Sequence, residues 1–314
     1  MVSSLGVASV ASIVALGVLL GASPAAQSSQ EKDFTLSTTS RLVLLDVSVK
    51  DSNGGFVSGL GKDAFKVYED GKLQDISQFA NADVPVTVGL VIDESGSMRP
   101  KRPDVITAAL EFFHDSNPQD EMFVVNFNEK AKLGLPPDMP FSDKTSELRG
   151  ALFQGTPDGR TALYDAIELA LQHAMLGRRD KKALIVVSDG GDNASRSTQA
   201  AVMRDVLESV TTIYTIGIFD EDDPDKNPGV LEKLAHVSGG VTYLPKKLDQ
   251  VIPICKQIAK DIRSRYTIGY VPPSTGKPVR HIKVLASAPG HGNLVVRART
   301  SYVYSPQSEA AVLK

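Results

Sequence analysis

The sequence predicts an α/β protein with a doubly wound, mostly parallel sheet, inserted in or flanked by a small all-β sandwich. Between residues 85 and 264, apolar strand-like runs alternate with helical segments, as is typical of parallel strands joined by crossover helices. Residues 34–84 and 265–304 instead show short alternating strands separated by turns. The length of 314 residues allows one large domain and a smaller one.

Composition and charge exclude several classes of partner. The net charge is −3 and the basic residues are dispersed, which gives no support for nucleic acid or an anionic membrane surface as partner. The basic run 178–182 is interpreted as a solvated helix end. The only cysteine, Cys255, lies in an apolar helical pattern and is predicted to be a buried small hydrophobic residue, so no internal disulfide is expected.

The N-terminus is predicted to be an export signal covering residues 1–26. An apolar run from Leu5 to Gly21 is followed by the small residues Ser23-Pro24-Ala25-Ala26, which suit a cleavage site. An uncleaved anchor is the alternative, because about 20 residues span a bilayer. No other stretch approaches transmembrane length, so the protein is expected to be periplasmic, on the cell surface or secreted, with no span beyond the signal segment.

The two β segments are expected to pair with each other. Residues Arg41–Val49 alternate as a strand, and Asp70-Gly71 is a hairpin turn between a strand at Phe65–Tyr68 and another at Leu73–Phe79. Neither segment has enough strands to bury a face alone, which is why residues 34–84 and 265–304 are hypothesised to form one sandwich. Residues 305–314 are interpreted as a frayed tail.

The α/β part is predicted from residues 85 to 264, with each buried strand followed by an amphipathic helix. The main predicted strands are Val86–Ile92, Met122–Phe127, Ala183–Ser188 and Thr212–Ile218, and the main predicted helices are Pro103–His114, Ala162–Leu176, Thr198–Val210, Gly229–His236 and Leu248–Ser264.

Three loops of this part carry oxygen-bearing side chains. Asp93, Ser95 and Ser97 directly follow the first strand, Thr161 opens a helix after a glycine turn, and Asp189 follows the strand ending at Ser188. Open α/β sheets bind ligands at the carboxyl ends of their strands. Hydroxyl and carboxylate oxygens with few formal charges suit a magnesium-like ion, so the sequence predicts a metal site at this edge.

These stretches resemble a von Willebrand factor type A (VWA) domain with a metal-ion-dependent adhesion site. The matching segments are Asp93-Glu94-Ser95-Gly96-Ser97, Gly159-Arg160-Thr161-Ala162-Leu163-Tyr164-Asp165-Ala166 and Ser188-Asp189-Gly190. Together with Leu44-Leu45-Asp46-Val47, Val67-Tyr68-Glu69-Asp70-Gly71 and Tyr266-Thr267-Ile268-Gly269-Tyr270, they make nearly the whole chain similar to the exported VWFA-related proteins of acidobacteria.

The resemblance implies a role for each site residue. Ser95 and Ser97 bind the ion directly, Thr161 binds it directly or through water, and Asp93 and Asp189 act mostly through waters. The ion is expected to be Mg²⁺, with Mn²⁺ or Ca²⁺ as alternatives, and its remaining position takes an Asp or Glu carboxylate from a partner protein. Direct ligands that are mainly neutral keep the ion electrophilic, which attracts such a carboxylate.

The expected function is metal-dependent protein binding in adhesion or complex assembly, without catalysis. The alternative is a VWA subunit that regulates or assembles a periplasmic enzyme or secretion complex. The segment 94–98 does not match the Gly-x-Ser-x-Gly pattern of hydrolases, and the five histidines are scattered. Glu94, Asp192 and Asn193, which lie near the predicted site, are expected to have surface or loop-turn roles.

Overall fold

The computed structural model describes residues 42–155, 157–219 and 226–304. The predicted signal segment 1–26 and the tail 305–314 lie outside the described residues. No helix in the described ranges is long and apolar enough to cross a membrane.

Strands and helices follow one another largely in the predicted order. Within the described residues the strands are β1 (Val43–Lys50), β2 (Phe65–Glu69), β3 (Lys72–Gln74), β4 (Ile76–Ala80), β5 (Val86–Asp93), β6 (Glu121–Phe127), β7 (Ala131–Leu133), β8 (Lys181–Ser188), β9 (Thr212–Gly217), β10 (Thr242–Tyr243), β11 (Tyr266–Tyr270), β12 (Val279–Ala286), β13 (Val295–Arg297) and β14 (Ser301–Val303). The α-helices are α1 (Arg102–Asp115), α2 (Thr145–Leu152), α3 (Leu163–Ala174), α4 (Gln199–Glu208), α5 (Pro228–Ser238) and α6 (Val251–Arg263).

A six-stranded sheet in the order β10-β9-β8-β5-β6-β7 forms the centre of the α/β part. Every pair in it is parallel except β6 with β7. All residues of β5 and β8 are buried. Helix α1 packs with α6 and helix α3 with α4, and the apolar sides of these helices form one core with the strands. Strands covered on both faces are continuous apolar runs, as the sequence shows. The predicted fold class is confirmed.

Two four-stranded antiparallel sheets combine the segments before and after the α/β part. Their orders are β13-β1-β11-β4 and β14-β12-β2-β3. Strand β1 pairs with β11, and β2 pairs with β12, so each sheet takes strands from both segments. Leu45, Phe65, Tyr266 and Ile268 belong to the apolar core of this sandwich. The boundary residue numbers of the domains stay a prediction.

One predicted strand is wrong in its extent. The segment Leu73–Phe79 divides at Asp75 into β3, which pairs with β2, and β4, which pairs with β11 in the other sheet. The chain therefore crosses between the sheets of the sandwich within a single residue. The preceding hairpin turn agrees with the prediction, since Asp70 and Gly71 both adopt positive φ angles of 47° and 81°, as a type I′ turn requires.

A buried ion pair joins the sandwich to the α/β part. Asp261 of α6 is fully buried and accepts hydrogen bonds from Arg265 Nη2 at 2.9 Å, Ser48 Oγ of β1 at 2.5 Å and Tyr214 Oη of β9 at 2.6 Å. Burial alone would raise the pKa of Asp261, but Arg265 and the two hydroxyls together lower it. These contacts link strands of both parts to α6.

The basic run 178–182 is only partly solvated, which corrects the sequence interpretation. Lys181 and Lys182 belong to β8 and are 8% and 7% exposed. Lys181 Nζ donates to the backbone carbonyl of Arg265 at 3.1 Å, and Lys182 Nζ donates to that of Arg179 at 2.6 Å. Long lysine side chains bury their stems in this way while the ammonium keeps polar partners.

Candidate metal site

Two buried carboxylates lie at the carboxyl ends of adjacent strands. Asp93 ends β5 and Asp189 directly follows β8, and the two strands are parallel neighbours with Ile92 opposite Val187. Asp93 is 2% exposed and Asp189 is 3% exposed. The parallel register therefore brings together two carboxylates that are far apart in the sequence.

The two serines join these carboxylates through hydrogen bonds. The Ser95 amide donates to Asp93 Oδ1 at 2.8 Å, and the Ser95 and Ser97 hydroxyl oxygens are 3.1 Å apart. Ser97 Oγ then donates to Asp189 Oδ2 at 2.7 Å. A 3-10 turn at Gly96–Met98 begins directly after Ser95, and within it the Ser97 hydroxyl lies next to that of Ser95. Four of the predicted site residues thus form one connected cluster.

Thr161 lies on the neighbouring loop. The Gly96 amide donates to the Gly159 carbonyl at 3.1 Å, which brings this loop against the serine turn. Thr161 is 6% exposed, and its amide donates to Asn193 Oδ1 at 2.9 Å. Between described residues, no hydrogen bond joins the Thr161 hydroxyl to the other four site residues. The structure thus places Thr161 beside the cluster without linking its hydroxyl to it.

The cluster concentrates negative charge. Burial, and then the negative charge of Asp189, raise the pKa of Asp93 to about 7, against the opposing effect of hydrogen bonds from Ser188 and Ser95. Among the ion pairs formed between described residues, none includes Asp93 or Asp189. An opposite charge close to two such carboxylates would favour their ionised forms.

The chemistry of these side chains fits a hard divalent cation. In the described part of the chain, no three His, Cys, Asp or Glu side chains gather in one group that could hold a metal. The five predicted site residues offer only oxygen atoms, whereas structural zinc sites mostly use the nitrogen and sulfur atoms of His and Cys. Mg²⁺ instead accepts oxygen ligands, keeps several waters and needs only one or two carboxylates. Three hydroxyls and two carboxylates fit this description.

Ser188 contributes to the site although the sequence analysis did not predict it. It is fully buried, donates from Oγ to Asp93 Oδ2 at 2.6 Å, and accepts the Gly190 amide at 3.0 Å. Its position directly before Asp189, at the end of a strand beside β5, was a usable signal. Gly190 has a φ of 78°, and a Cβ there would lie 2.3 Å from the Asn227 carbonyl oxygen, so this position requires glycine.

The residues near the site divide into two groups. Asn193 and Asp192 have the predicted loop role, since the Asp192 carboxylate accepts the Tyr164 amide at 3.2 Å and Asn193 accepts that of Thr161. The surface or loop-turn role predicted for Glu94 is wrong. Glu94 is 2% exposed because the loop around Gly155 covers it, and it pairs with Arg102 at 2.8 Å.

The α/β part has the fold of a VWA domain. Residues 88–191 match the family model for the von Willebrand factor type A domain, and this range contains all five predicted site residues. The chain therefore carries a VWA domain, as predicted. Membership of the acidobacterial group stays a prediction.

Comparison with known proteins finds distant relatives. Over 165 residues the chain is 24% identical to the uncharacterized protein sll0103 of Synechocystis, a match covering 51% of this chain and 38% of that protein, so the chain spans well under half of that relative's length. A solved von Willebrand factor type A structure from Catenulispora acidiphila is similar over 86% of this chain and 76% of that one, with a TM-score of 0.51. At 14% identity, that likeness shows the fold alone.

A weaker likeness is to proximal thread matrix protein 1 from the mussel byssus, solved with a zinc-occupied MIDAS motif. It has 17% identity and a TM-score of 0.47, and covers 57% of this chain and 48% of that one. This similarity is too low to bear on the function of the present protein.

Proposed function

We propose that this protein binds an Asp or Glu side chain of a partner protein through a divalent cation held at the VWA domain. The cation is Mg²⁺, with Mn²⁺ or Ca²⁺ as alternatives, and its ligands come from Asp93, Ser95, Ser97, Thr161 and Asp189. The protein is exported and acts in adhesion or in the assembly of a complex. One observation carries the proposal: the hydrogen-bonded cluster of two serines and two buried carboxylates at the ends of β5 and β8.

The donor set explains why a carboxylate would be the ligand. In this proposal Ser95 and Ser97 bind the cation through neutral hydroxyls, Thr161 binds directly or through water, and the two aspartates act mostly through waters. A cation with few direct anionic ligands retains most of its charge. It then attracts a carboxylate from outside, which completes its coordination with the hard oxygen ligand that Mg²⁺ prefers.

The surroundings of the serines support binding over catalysis. An activated serine nucleophile needs a base within hydrogen-bond reach, most often a histidine. In the described ranges, the hydrogen bonds of the Ser95 and Ser97 side chains go to each other and to Asp189. This arrangement keeps the hydroxyls in place as oxygen ligands and supports a binding role.

Calorimetry with MgCl₂ tests the proposal. The wild-type protein is expected to bind one equivalent, and Ser97→Ala is expected to bind at least about tenfold more weakly because it loses a direct ligand. Asp158→Asn is the matched control, since Asp158 is 75% exposed on the adjacent loop and outside the proposed ligand set. Equal binding by wild type and Ser97→Ala, or no binding by either, would refute the metal site.

The carboxylate step needs a separate measurement. A glutamate-containing peptide is expected to bind the wild-type protein in Mg²⁺ and to dissociate when EDTA is added. The same peptide with glutamine in place of glutamate is the control for general peptide affinity. Binding that persists unchanged in EDTA would show that the cation does not carry the interaction.

A further inference from the structure

A buried ion pair lies next to the candidate metal site. Arg102, at the start of α1, donates from Nη2 and Nε to Glu94 Oε1 at 2.8 and 3.3 Å. The Glu94 side chain is 3% exposed and that of Arg102 is 18% exposed. Desolvation offsets most of the attraction within such a pair, so stabilisation alone does not account for it. Glu94 stands between Asp93 and Ser95, so a segment that is bonded to this ion pair is anchored next to the candidate metal site.

The pair holds the loop that connects α2 to Thr161. Arg102 Nη2 also donates to the Gly155 carbonyl at 2.8 Å and to the Leu152 carbonyl at 3.3 Å. A Cβ on Gly155 would lie 1.1 Å from Glu94 Oε2, so glycine is what lets the loop come this close. The Glu94 carbonyl accepts the amide of Asp158 at 2.9 Å, which adds a second attachment further along the same loop.

The loop held by these attachments leads directly to Thr161, whose own backbone is also bonded to Asn193 and Ala194. The described residues between the end of α2 at Leu152 and the start of α3 at Leu163 contain no helix or strand, so the ladders of regular structure do not fix them. Gly159 has a φ of 83° and its carbonyl accepts the Gly96 amide, which turns the loop toward the serine turn just before Thr161. No hydrogen bond between described residues ties the Thr161 hydroxyl to the cluster, so its position follows from its backbone, which this loop and the bonds with Asn193 and Ala194 hold.

We propose that Glu94 and Arg102 are positioning residues for Thr161. The pair fixes the loop so that the Thr161 hydroxyl stands at the distance from Ser95 and Ser97 that the cation requires. This inference rests on the proposed function, since it assigns a second layer to the same site. Arg102 also neutralises Glu94, so the carboxylate next to Asp93 adds no unpaired negative charge to the cluster.

A double-mutant cycle on Mg²⁺ affinity tests the inference. The double variant Glu94→Gln/Arg102→Gln keeps the net charge and removes the pair, and it is expected to bind Mg²⁺ about tenfold or more weakly, as loss of residues that orient metal ligands does. In a Thr161→Ala background the same double change is expected to alter the affinity less than about twofold, because its effect passes through Thr161. A general loss of structure would weaken binding equally in both backgrounds.

The control is an exposed ion pair that involves the same helix. Glu111 of α1 pairs with Lys256 at 2.9 Å, and both side chains are more than 40% exposed. Glu111→Gln/Lys256→Gln is expected to leave the Mg²⁺ affinity unchanged. Should the double variant fail to fold, Arg102→Lys keeps the charge but removes the forked contact to Glu94 and Gly155, and it is put through the same cycle.

The results separate the two proposals. Wild-type protein that binds no Mg²⁺ refutes the proposed function and this inference together, before any variant is compared. If wild type binds Mg²⁺ and the double variant binds equally well, the metal site stands and the positioning role is refuted. An equal loss of affinity with and without the Thr161 hydroxyl also refutes the positioning role.

Discussion

Replacing Asp93 with asparagine is expected to stabilise the cation-free protein at neutral pH. Burial and the charge of Asp189 raise the pKa of Asp93 from 3.8 to about 7 in the folded state. Well below pH 4 this carboxyl is protonated in both the folded and the unfolded chain, so it does not lower the stability there. Between pH 4 and 7 the unfolded chain loses this proton while the folded chain keeps it, and stability falls as the pH rises.

The size of the effect follows from the shift. A shift of about three pKa units corresponds to about 4 kcal/mol, and the cost is complete above pH 7. Asparagine carries no charge to desolvate, its Oδ1 can still accept the Ser95 amide, and its amide can donate to Ser188 once that hydroxyl rotates. The stability advantage of Asp93→Asn over wild type is therefore expected to grow by about 3 kcal/mol as the pH rises from 5 to 8.

Urea unfolding in EDTA at pH 5, 6, 7 and 8 measures this difference, since subtracting wild type from variant cancels the titrating groups that do not interact with Asp93. Adding Mg²⁺ to 100 times its Kd is expected to stabilise wild type by about 2.7 kcal/mol and the variant far less. A stability difference that stays flat from pH 5 to pH 8 would refute the electrostatic reasoning. Asp158→Asn, at an exposed position of the adjacent loop, is expected to show no such pH dependence.

Two further predictions concern the core. Asp261→Ala leaves Arg265 buried without its carboxylate and is expected to lower the free energy of unfolding by about 3–5 kcal/mol in urea titrations. The control Asp83→Asn breaks the exposed pair with Arg263 and is expected to lower it by under about 1 kcal/mol. Equal losses of stability in the two variants would contradict this prediction. Burial raises the pKa of the Cys255 thiol to about 12, so a thiol reagent at pH 8 is expected to label native protein only as fast as it unfolds, and rapid native labelling would contradict that burial.

Much of the site was predictable because strand ends share a sheet edge. Asp93 and Asp189 each follow an apolar run, and parallel strands place such residues together whatever their separation in the chain. Ser95 and Ser97 follow Asp93 within a few residues, so they necessarily lie near it. Patterns of this kind depend on local sequence and on one rule of topology, and both are visible without coordinates.

Other features depend on tertiary contacts that no local pattern encodes. Glu94 follows the end of a strand and looks like an exposed loop residue, yet the loop around Gly155 covers it and Arg102 pairs with it. Lys181 looks solvated in a basic run, yet β8 begins there and its amine reaches the carbonyl of Arg265, 84 residues away. In both cases a segment that packs on the buried side chain, at Gly155 for Glu94 and at Arg265 for Lys181, is distant in sequence.

The way the sandwich is assembled has a consequence for how the chain folds. Val43 of β1 pairs with Tyr270 of β11, so about 230 residues separate partners that touch in the native state. Closing so long a loop is entropically costly for a disordered chain, but a folded α/β part brings its two ends together beforehand. During synthesis β1, β2 and β4 lack their partner strands, and so have unpaired edges, until β11 and β12 have been made. The α/β part is therefore expected to act as the template on which the sandwich closes, and damage to its core is expected to leave aggregation-prone strand edges exposed.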